Sequence, residues 1–287
     1  MNHDHHMEFE FFSILFATFK IIGLVFLFMI LVEFLELKYS DIFKKYLTHN
    51  KFSQYVFSSF LGSTPGCVGV YAVDTFYMAG IIGFGGIIAA TIATFGDEAF
   101  VLFATSPKTA LILGGLTFIL GIFGGYLATL TEKLLKLTFK PACCIEHHQG
   151  HENNIDLKHF FKAHIWKHVF MKHIPKIFLW LFFSLLIISF LNEYVHLSDL
   201  IFKHQVATMF IAALVGLLPI SGPNLLFMTL YLQGSIPFSI LLANSIIQDG
   251  HGLLPIIGYS LEDALKIKVF NIIFGLIIGF ILFFIGF

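Results

Sequence analysis

The chain has 287 residues, of which 57% are hydrophobic and 12% charged, and its formal net charge is −1. A water-soluble fold of this length needs more polar surface, and the mean hydropathy of +0.86 agrees. The near-neutral charge gives no footprint for nucleic acid, so no nucleic-acid partner is expected. All 17 basic residues are lysines, which is typical of AT-rich bacterial genomes and makes the bacterial inner membrane the expected location.

The N-terminal segment MNHDHHMEFE has no lysine and no small-residue cleavage site. We therefore expect it not to be a removable signal peptide. His3, His5 and His6, with Glu8 and Glu10, could collect metal outside the cell, although a flexible terminus is the commoner outcome for such a segment.

Apolar runs at 21–32, 110–130, 177–191 and 269–287 approach the ~20 residues that a helix needs to cross the membrane. A spanning chain must satisfy its own backbone hydrogen bonds, and runs of this length do so as helices rather than as barrel strands. The predicted fold class is all-α, a polytopic membrane protein.

An internal repeat organises the chain. Residues 62–96 (GSTPGCVGVYAVDTFYMAGIIGFGGIIAATIATFG) align without a gap with residues 216–250 (GLLPISGPNLLFMTLYLQGSIPFSILLANSIIQDG), and a proline, a tyrosine and three glycines are among the matches. Shared hydrophobicity alone does not align such residues at one offset. We therefore predict two repeats of about five helices each: residues 1–131, a connecting loop at 132–174, and residues 175–287.

Lysine placement predicts how the repeats are oriented. The loop at 36–51 and the segment at 132–174 are lysine-rich, whereas no lysine precedes Lys20. The positive-inside rule places both loops in the cytoplasm and both termini outside. Each repeat then crosses the membrane an odd number of times, which is the inverted-topology plan of secondary transporters, with the substrate at the repeat interface.

Glycine and proline predict discontinuous helices. STPG at 63–66 and LLPISGP at 217–223 lie at matching places inside runs otherwise long enough to span. Proline removes an amide donor and clashes with the preceding turn, so a helix breaks there. Ordinary proline kinks are the simpler alternative, but duplicated breaks favour the transporter pattern.

Polar residues cluster beside the matched glycines Gly96 and Gly250, where the alignment of the repeats places TFGDE opposite QDGHG. An ionised residue at the bilayer centre costs roughly 2.5 to 3.5 kcal/mol, and a bound cation would compensate for several of them. Helical spacing also puts Asn244, Gln248 and His251 on one face, and Thr91, Thr94 and Glu98 on another. The predicted metal ligands are Asp97, Glu98, Asp249 and His251, with Gln248 and Asn244 as auxiliary ligands.

Carboxylate, imidazole and amide together suit Mn²⁺, Fe²⁺, Co²⁺ or Zn²⁺, and His251 is the residue that favours these ions over Ca²⁺ or Mg²⁺. Asp74 is a further acid that could be a ligand, a proton acceptor or a water-exposed helix-end residue. The alternative for the whole cluster is a pair of solvated turns, which explains the glycines but not the acids in both repeats.

The connecting loop carries a second group of metal-binding side chains: Cys143, Cys144, His147, His148 and His151. Without a CxxC motif, transient metal handling is a milder expectation than a defined zinc site. Residues 156–176, where lysine and histidine alternate with aromatics, predict an interfacial amphipathic helix.

The stretches STPGCVG, IATFGDEAFV, GLLPISGPN and SIIQDGHGLLP resemble the ten-span heavy-metal transporter family, whose members are also labelled manganese transporters or arsenic efflux proteins. The resemblance covers residues 55–286 and implies membrane transport of a transition metal. Cys67 has no counterpart in the second repeat, where Ser221 stands, which argues against a thiolate arsenic site.

The favoured hypothesis is a secondary transporter that moves divalent transition-metal cations by alternating access. The ion is a substrate, so no cofactor is expected, and no Walker motif indicates ATP hydrolysis. Proton coupling fits, because metal ligands must release protons to bind. The partners are the metal ion and the lipid bilayer, and the oligomeric state is left open.

Two alternatives remain. An oxyanion or organoarsenical efflux permease would use helix N-termini to face negative charge, but it usually needs a basic residue at midplane, and the sequence shows none apart from Lys20, near a helix end. A metal enzyme using Asp249 and His251 is disfavoured, because duplicated halves add nothing to one asymmetric site. No enzymatic activity is therefore expected.

Overall fold

The computed structural model describes residues 50–66, 68–139, 174–195, 203–219 and 221–286, with short helical stretches between residues 12 and 30 and residue 201. The N-terminal histidines, Cys67, and the Cys/His group at 143–151 lie outside the described residues, as do residues 156–173 of the predicted interfacial helix. The predictions made for those segments stay predictions.

The regular structure of the described residues is helical, which confirms the predicted fold class. The first repeat contains α1 (Lys51–Ser63), α2 (Val68–Met78), α3 (Phe84–Ala93), α4 (Glu98–Thr105) and α5 (Pro107–Leu135). The second contains α6 (Ile174–Val195), α7 (Gln205–Gly216), α8 (Asn224–Leu232), α9 (Phe238–Ile247), a 3₁₀ turn (Gly250–Leu253), α10 (Leu254–Tyr259) and α11 (Leu261–Ile285).

The 154-residue register found in the sequence also relates the helices. Adding 154 to the bounds of α3 gives those of α9, and Ser106 and Ser260, which precede α5 and α11, match in the same way. Gly80 and Gly234 at corresponding turns both have positive φ, +69° and +74°. The duplicated sequence therefore folds into duplicated structure.

The two predicted breaks are confirmed. Helix α1 ends at Ser63 and α2 begins at Val68, and the matching helices α7 and α8 are separated by residues 217–223. A ten-residue helix such as α3 is about 15 Å long, half the hydrocarbon thickness. In the described part of the chain, α5 and α11 are the helices long and apolar enough to cross a membrane by length and composition.

Helices α3 and α9 form the centre of the molecule. All ten residues of α3 are buried, and so are nine of the ten in α9. Helix α3 packs on α1 and α5, and α9 packs on α7 and α11. Across the repeats α3 contacts both α9 and α11, and α5 contacts α9 in return. The contacts thus come in matched pairs around the α3–α9 contact.

Small residues let these helices approach closely. A Cβ placed on Gly125 of α5 would lie 2.6 Å from the carbonyl oxygen of Gly85 in α3 and 2.9 Å from the Cβ of Ala89. Nearby, the Tyr55 and Thr129 hydroxyls lie 2.7 Å apart and join α1 to α5. Close backbone approach at small residues is a main source of packing energy between membrane helices.

Substituting Gly125→Ala should lower the thermal unfolding temperature in detergent. Alanine favours a helix by about 0.5 to 1 kcal/mol over glycine, but overpacking at this contact costs about 1 to 3 kcal/mol. Gly115→Ala on the same helix is the matched control, because nothing lies within 4 Å of its added Cβ. An equal or higher unfolding temperature for Gly125→Ala would contradict the close crossing.

Candidate functional site

Four non-helical segments meet at the centre of the molecule. The Gly66 N–H, in the first break, donates a 3.0 Å hydrogen bond to the Gly96 carbonyl oxygen after α3. Ser221, in the second break, lies against both Gly96 and Gly250, since its Oγ would be 3.5 Å and 2.5 Å from a Cβ on each. The breaks and the turns of the two repeats therefore form one continuous core of irregular backbone.

The two turns share one local geometry. Helix α3 ends at Ala93, the next residue Thr94 is extended, and Gly96 has a φ of +55°. In the second repeat Gln248 is extended after α9 and Gly250 has a φ of +53°. Glycine adopts this left-handed conformation without the steric penalty of a Cβ. The matched glycines found in the sequence thus lie in the turn that follows each central helix.

These turns correct the predicted helical faces. The spacing of Asn244, Gln248 and His251 puts them on one face only if a single helix carries all three residues. Helix α9 ends at Ile247, before Gln248. Thr91, Thr94 and Glu98 are separated in the same way, because α3 ends at Ala93 and Glu98 begins α4. The extended residue and the left-handed glycine break the helical phase, so neither set shares a helix face.

The predicted acids lie in the interior. Asp249 and Asp74 are fully buried, and Asp97 and Glu98 at the start of α4 are 6% and 4% exposed. Gln248 is fully buried as well. Burial at this level excludes the solvated-turn alternative for these side chains, and it excludes a water-exposed helix-end position for Asp74.

Asp249 pairs with a lysine that the sequence reasoning missed. The Lys268 Nζ lies 2.5 Å from Asp249 Oδ2, and the whole Lys268 residue is only 7% exposed. The Asn271 amide donates to Asp249 Oδ1 at 2.9 Å and to the Thr91 hydroxyl at 3.1 Å, which links α11 to α3 across the repeats. The expectation of no basic residue in the middle of the protein is therefore wrong.

The same ammonium caps two helices. Lys268 Nζ donates to the carbonyl oxygens of Gly216 at 2.9 Å and Ile247 at 3.2 Å, the last residues of α7 and α9. Helix C-termini carry unpaired carbonyls and partial negative charge, which favour a cation. In the sequence, Lys268 lies two residues after Lys266 and looks like part of a helix-end group, but α11 begins at Leu261 and carries it inward. A lysine within an apolar run was the available signal.

Several buried polar atoms around this pair have no hydrogen-bond partner among the described residues. They include both carboxyl oxygens of Asp74, Oε1 of Glu98, and both amide atoms of Gln248. Asp74 lies on α2, which packs on the 3₁₀ turn directly after Asp249. Unsatisfied buried polar groups are costly, which marks these atoms as candidates for substrate contact.

Two predicted ligands have other placements. The Asn244 amide donates to the Ala212 carbonyl oxygen at 2.8 Å and to Asn224 Oδ1 at 3.0 Å, so it ties α9 to α7 and α8. The structure thus favours a packing role for Asn244. His251 lies in the 3₁₀ turn, and its side chain is outside what the structure describes.

The carboxyl groups do not form a ready metal cage. Within the described part of the chain, no three His, Cys, Asp or Glu side chains gather in an arrangement that could hold a metal ion. Asp249 already pairs with Lys268. Asp97 and Glu98 lie at the start of α4, whereas Asp74 lies on α2. The predicted ligands share one region without converging on one point.

Gly250→Ala should lower the thermal unfolding temperature by more than the left-handed φ of Gly250 alone explains. A non-glycine residue in this conformation costs roughly 1 to 2 kcal/mol, and here the Cβ also meets Ser221 Oγ at 2.5 Å. Gly234→Ala is the matched control, because its φ is +74° but nothing lies within 4 Å. Thermal unfolding of both variants checks this, and an equal loss in the two would contradict the packing of Gly250 on Ser221.

Comparison with known proteins identifies a family. Neither a curated protein nor a solved structure matches the chain. The family model described as "Putative, 10TM heavy-metal exporter" matches residues 10–198 and 175–286, which together span almost the whole sequence. That coverage agrees with the resemblance seen in the glycine and proline motifs, and it supports a multi-span membrane setting and a transport role. The chain belongs to this family of ten-span heavy-metal exporters.

Proposed function

We propose that the protein is a secondary transporter of divalent transition-metal cations, of the Mn²⁺, Fe²⁺, Co²⁺ and Zn²⁺ class, across the bacterial inner membrane. The proposal is narrower than the family description, which names heavy metals without a particular ion. It draws on the charge, burial and connectivity of the central residues.

The charge balance of the centre carries the proposal. Four buried acids, Asp74, Asp97, Glu98 and Asp249, lie near the two central turns, whereas Lys268 is the one buried lysine or arginine among the described residues. Removing an uncompensated charge from water is expensive. A centre with more carboxyl groups than ammonium groups is therefore suited to a cationic guest or to protons.

The broken helices support alternating access as the mechanism. Irregular backbone at membrane depth is tolerated where it lines a cavity or is buried in protein, and in secondary transporters it forms the substrate site between repeats. Here both breaks and both turns meet at the contact between α3 and α9. Opposite orientation of the two repeats, inferred from the lysine distribution, would let one half rock against the other around this point.

The central residues have distinct proposed roles. Asp74 on α2 and Asp249 beside the 3₁₀ turn that α2 contacts would provide carboxylate oxygens from the two repeats. Gln248 would contribute its amide oxygen, and Asp97, Glu98 and His251 lie on the adjoining turns. Convergence of these ligands on one ion would need movement of the turns. Since metal binding displaces protons from its ligands, proton exchange would accompany transport.

Asp74→Asn should reduce Mn²⁺ flux into proteoliposomes by at least about tenfold, because a ligand charge is lost, a change of about 1.4 kcal/mol in site affinity. The fold should survive, since neither Asp74 oxygen has a hydrogen-bond partner among the described residues. Metal-dependent fluorescence quenching measures the flux. Glu262→Gln is the control, because that carboxylate is 75% exposed and lies outside the centre. Wild-type flux in a folded Asp74→Asn protein would rule out this site.

The buried Lys268 gives a specific reason to test an oxyanion or organoarsenical permease as well. Its ammonium and the Gln248 amide, which has no hydrogen-bond partner in the part of the chain that the structure describes, are donors that an anion could use. Under our proposal, Mn²⁺ and Zn²⁺ should compete with each other for flux while arsenate and arsenite have no effect. Inhibition by the arsenic species, with no response to divalent metals, would favour the permease instead.

A further inference from the structure

The Lys268–Asp249 pair is an asymmetric feature in a duplicated frame. By the 154-residue register, Asp249 corresponds to Phe95 and Lys268 corresponds to Gly114. The flanking parts of both repeats keep one geometry, since Gly96 and Gly250 have nearly the same φ and α5 and α11 begin at matching positions. The second repeat thus places a charge pair where the first places a ring and a glycine.

The first repeat fills this position with apolar contact. A Cβ placed on Gly114 would lie 3.3 Å from Cε1 and 3.5 Å from Cδ1 of the Phe95 ring. The ring, which is 3% exposed, therefore lies against the α5 backbone where Lys268 would extend from α11. One frame accepts either solution, so packing alone does not require a charge pair here.

A buried ion pair is also a poor way to gain stability. Desolvation often offsets the attraction between the charges, and a hydrophobic replacement of similar volume is often neutral or stabilising. The pair nevertheless has several polar neighbours: the ammonium lies 2.5 Å from Asp249 Oδ2 and donates to two helix-end carbonyls, and Asn271 donates to the other Asp249 oxygen. Asp74, close to Asp249, has no such partner among the described residues.

We propose that Lys268 is a tethered counter-cation that occupies Asp249 when no substrate is bound, and that the transported cation gains Asp249 by displacing this ammonium. The inference rests on the proposed function and specifies how its site is kept closed. After displacement, the carbonyl oxygens of Gly216 and Ile247, which the ammonium already contacts, would still hold it. Because these carbonyls belong to the last residues of α7 and α9, displacement of the ammonium would also change its contacts with both helix ends.

Competition between two cations makes a directional prediction. Lys268→Met removes the competitor while keeping an unbranched side chain, so Mn²⁺ should bind the purified protein at least about tenfold more tightly by isothermal titration calorimetry. Net export should fall, because release is no longer assisted by the returning ammonium. Lys266→Met is the matched control on the same helix. Lys266 forms ion pairs with Glu262 and Asp263, whereas the ion pair of Asp249 is with Lys268. It should leave affinity unchanged.

A symmetry-derived double variant, Asp249→Phe with Lys268→Gly, tests whether the pair serves folding. It copies the first repeat, so it should unfold within a few degrees of the wild-type temperature while losing Mn²⁺ binding. A double variant that fails to fold would overturn the inference, because the pair would then be structural. This variant tests whether the pair is required for folding even if Lys268→Met is unstable.

The remaining outcomes separate the two proposals. A folded Lys268→Met protein with wild-type or weaker Mn²⁺ affinity overturns the counter-cation role and leaves the metal-transport proposal standing. Wild-type protein that neither binds nor moves any divalent cation overturns the proposed function itself. Arsenate binding that disappears in Lys268→Met would identify Lys268 as an anion ligand, and would overturn both.

Discussion

A carboxylate placed away from water must be compensated, and this constraint shapes the centre of the protein. Asp249 meets it with the Lys268 ammonium and the Asn271 amide, each reaching in from α11. The same ammonium neutralises the C-terminal ends of α7 and α9. One side chain thus joins three helices to a turn, while the neighbouring Asp74 is left without a partner among the described residues. The centre combines an internal charge pair with a second buried acid outside that pair, and our proposal of exchange between an internal and a transported cation builds on this arrangement.

Duplication explains how such a centre is built. Two copies of one helix–break–helix–turn pattern meet at α3 and α9, so the breaks and turns of both copies fall in one place. A symmetric frame brings backbone irregularities together, but it does not decide which side chains stand on them. Asp74 corresponds to Met228, and Asp249 corresponds to Phe95, so the acids at the centre are distributed unequally. The duplicated frame is therefore symmetric in backbone and asymmetric in charge.

Sequence reasoning anticipated the helical fold, both helix breaks and the burial of acids near the two glycines. It was wrong about helical phase, because the Asn244–Gln248–His251 spacing assumed one continuous helix, whereas α9 ends at Ile247 and is followed by an extended Gln248 and a left-handed Gly250. It also missed Lys268. A lysine near the start of a long helix is usually at a membrane surface, and only the packing of α11 against α7 and α9 shows that this one points inward.

The sequence by itself determined the class of protein, the repeat, and the two helix breaks marked by proline, because these follow from composition, from Gly and Pro, and from the 154-residue register. The tertiary structure decided which of the polar residues interact. Pairing of Asp249 with Lys268, contact of Gly96 and Gly250 with Ser221, and the use of Asn244 as a helix tie all join residues far apart along the chain or on different elements. Such contacts depend on how helices pack in three dimensions, and periodicity along one helix carries no information about them.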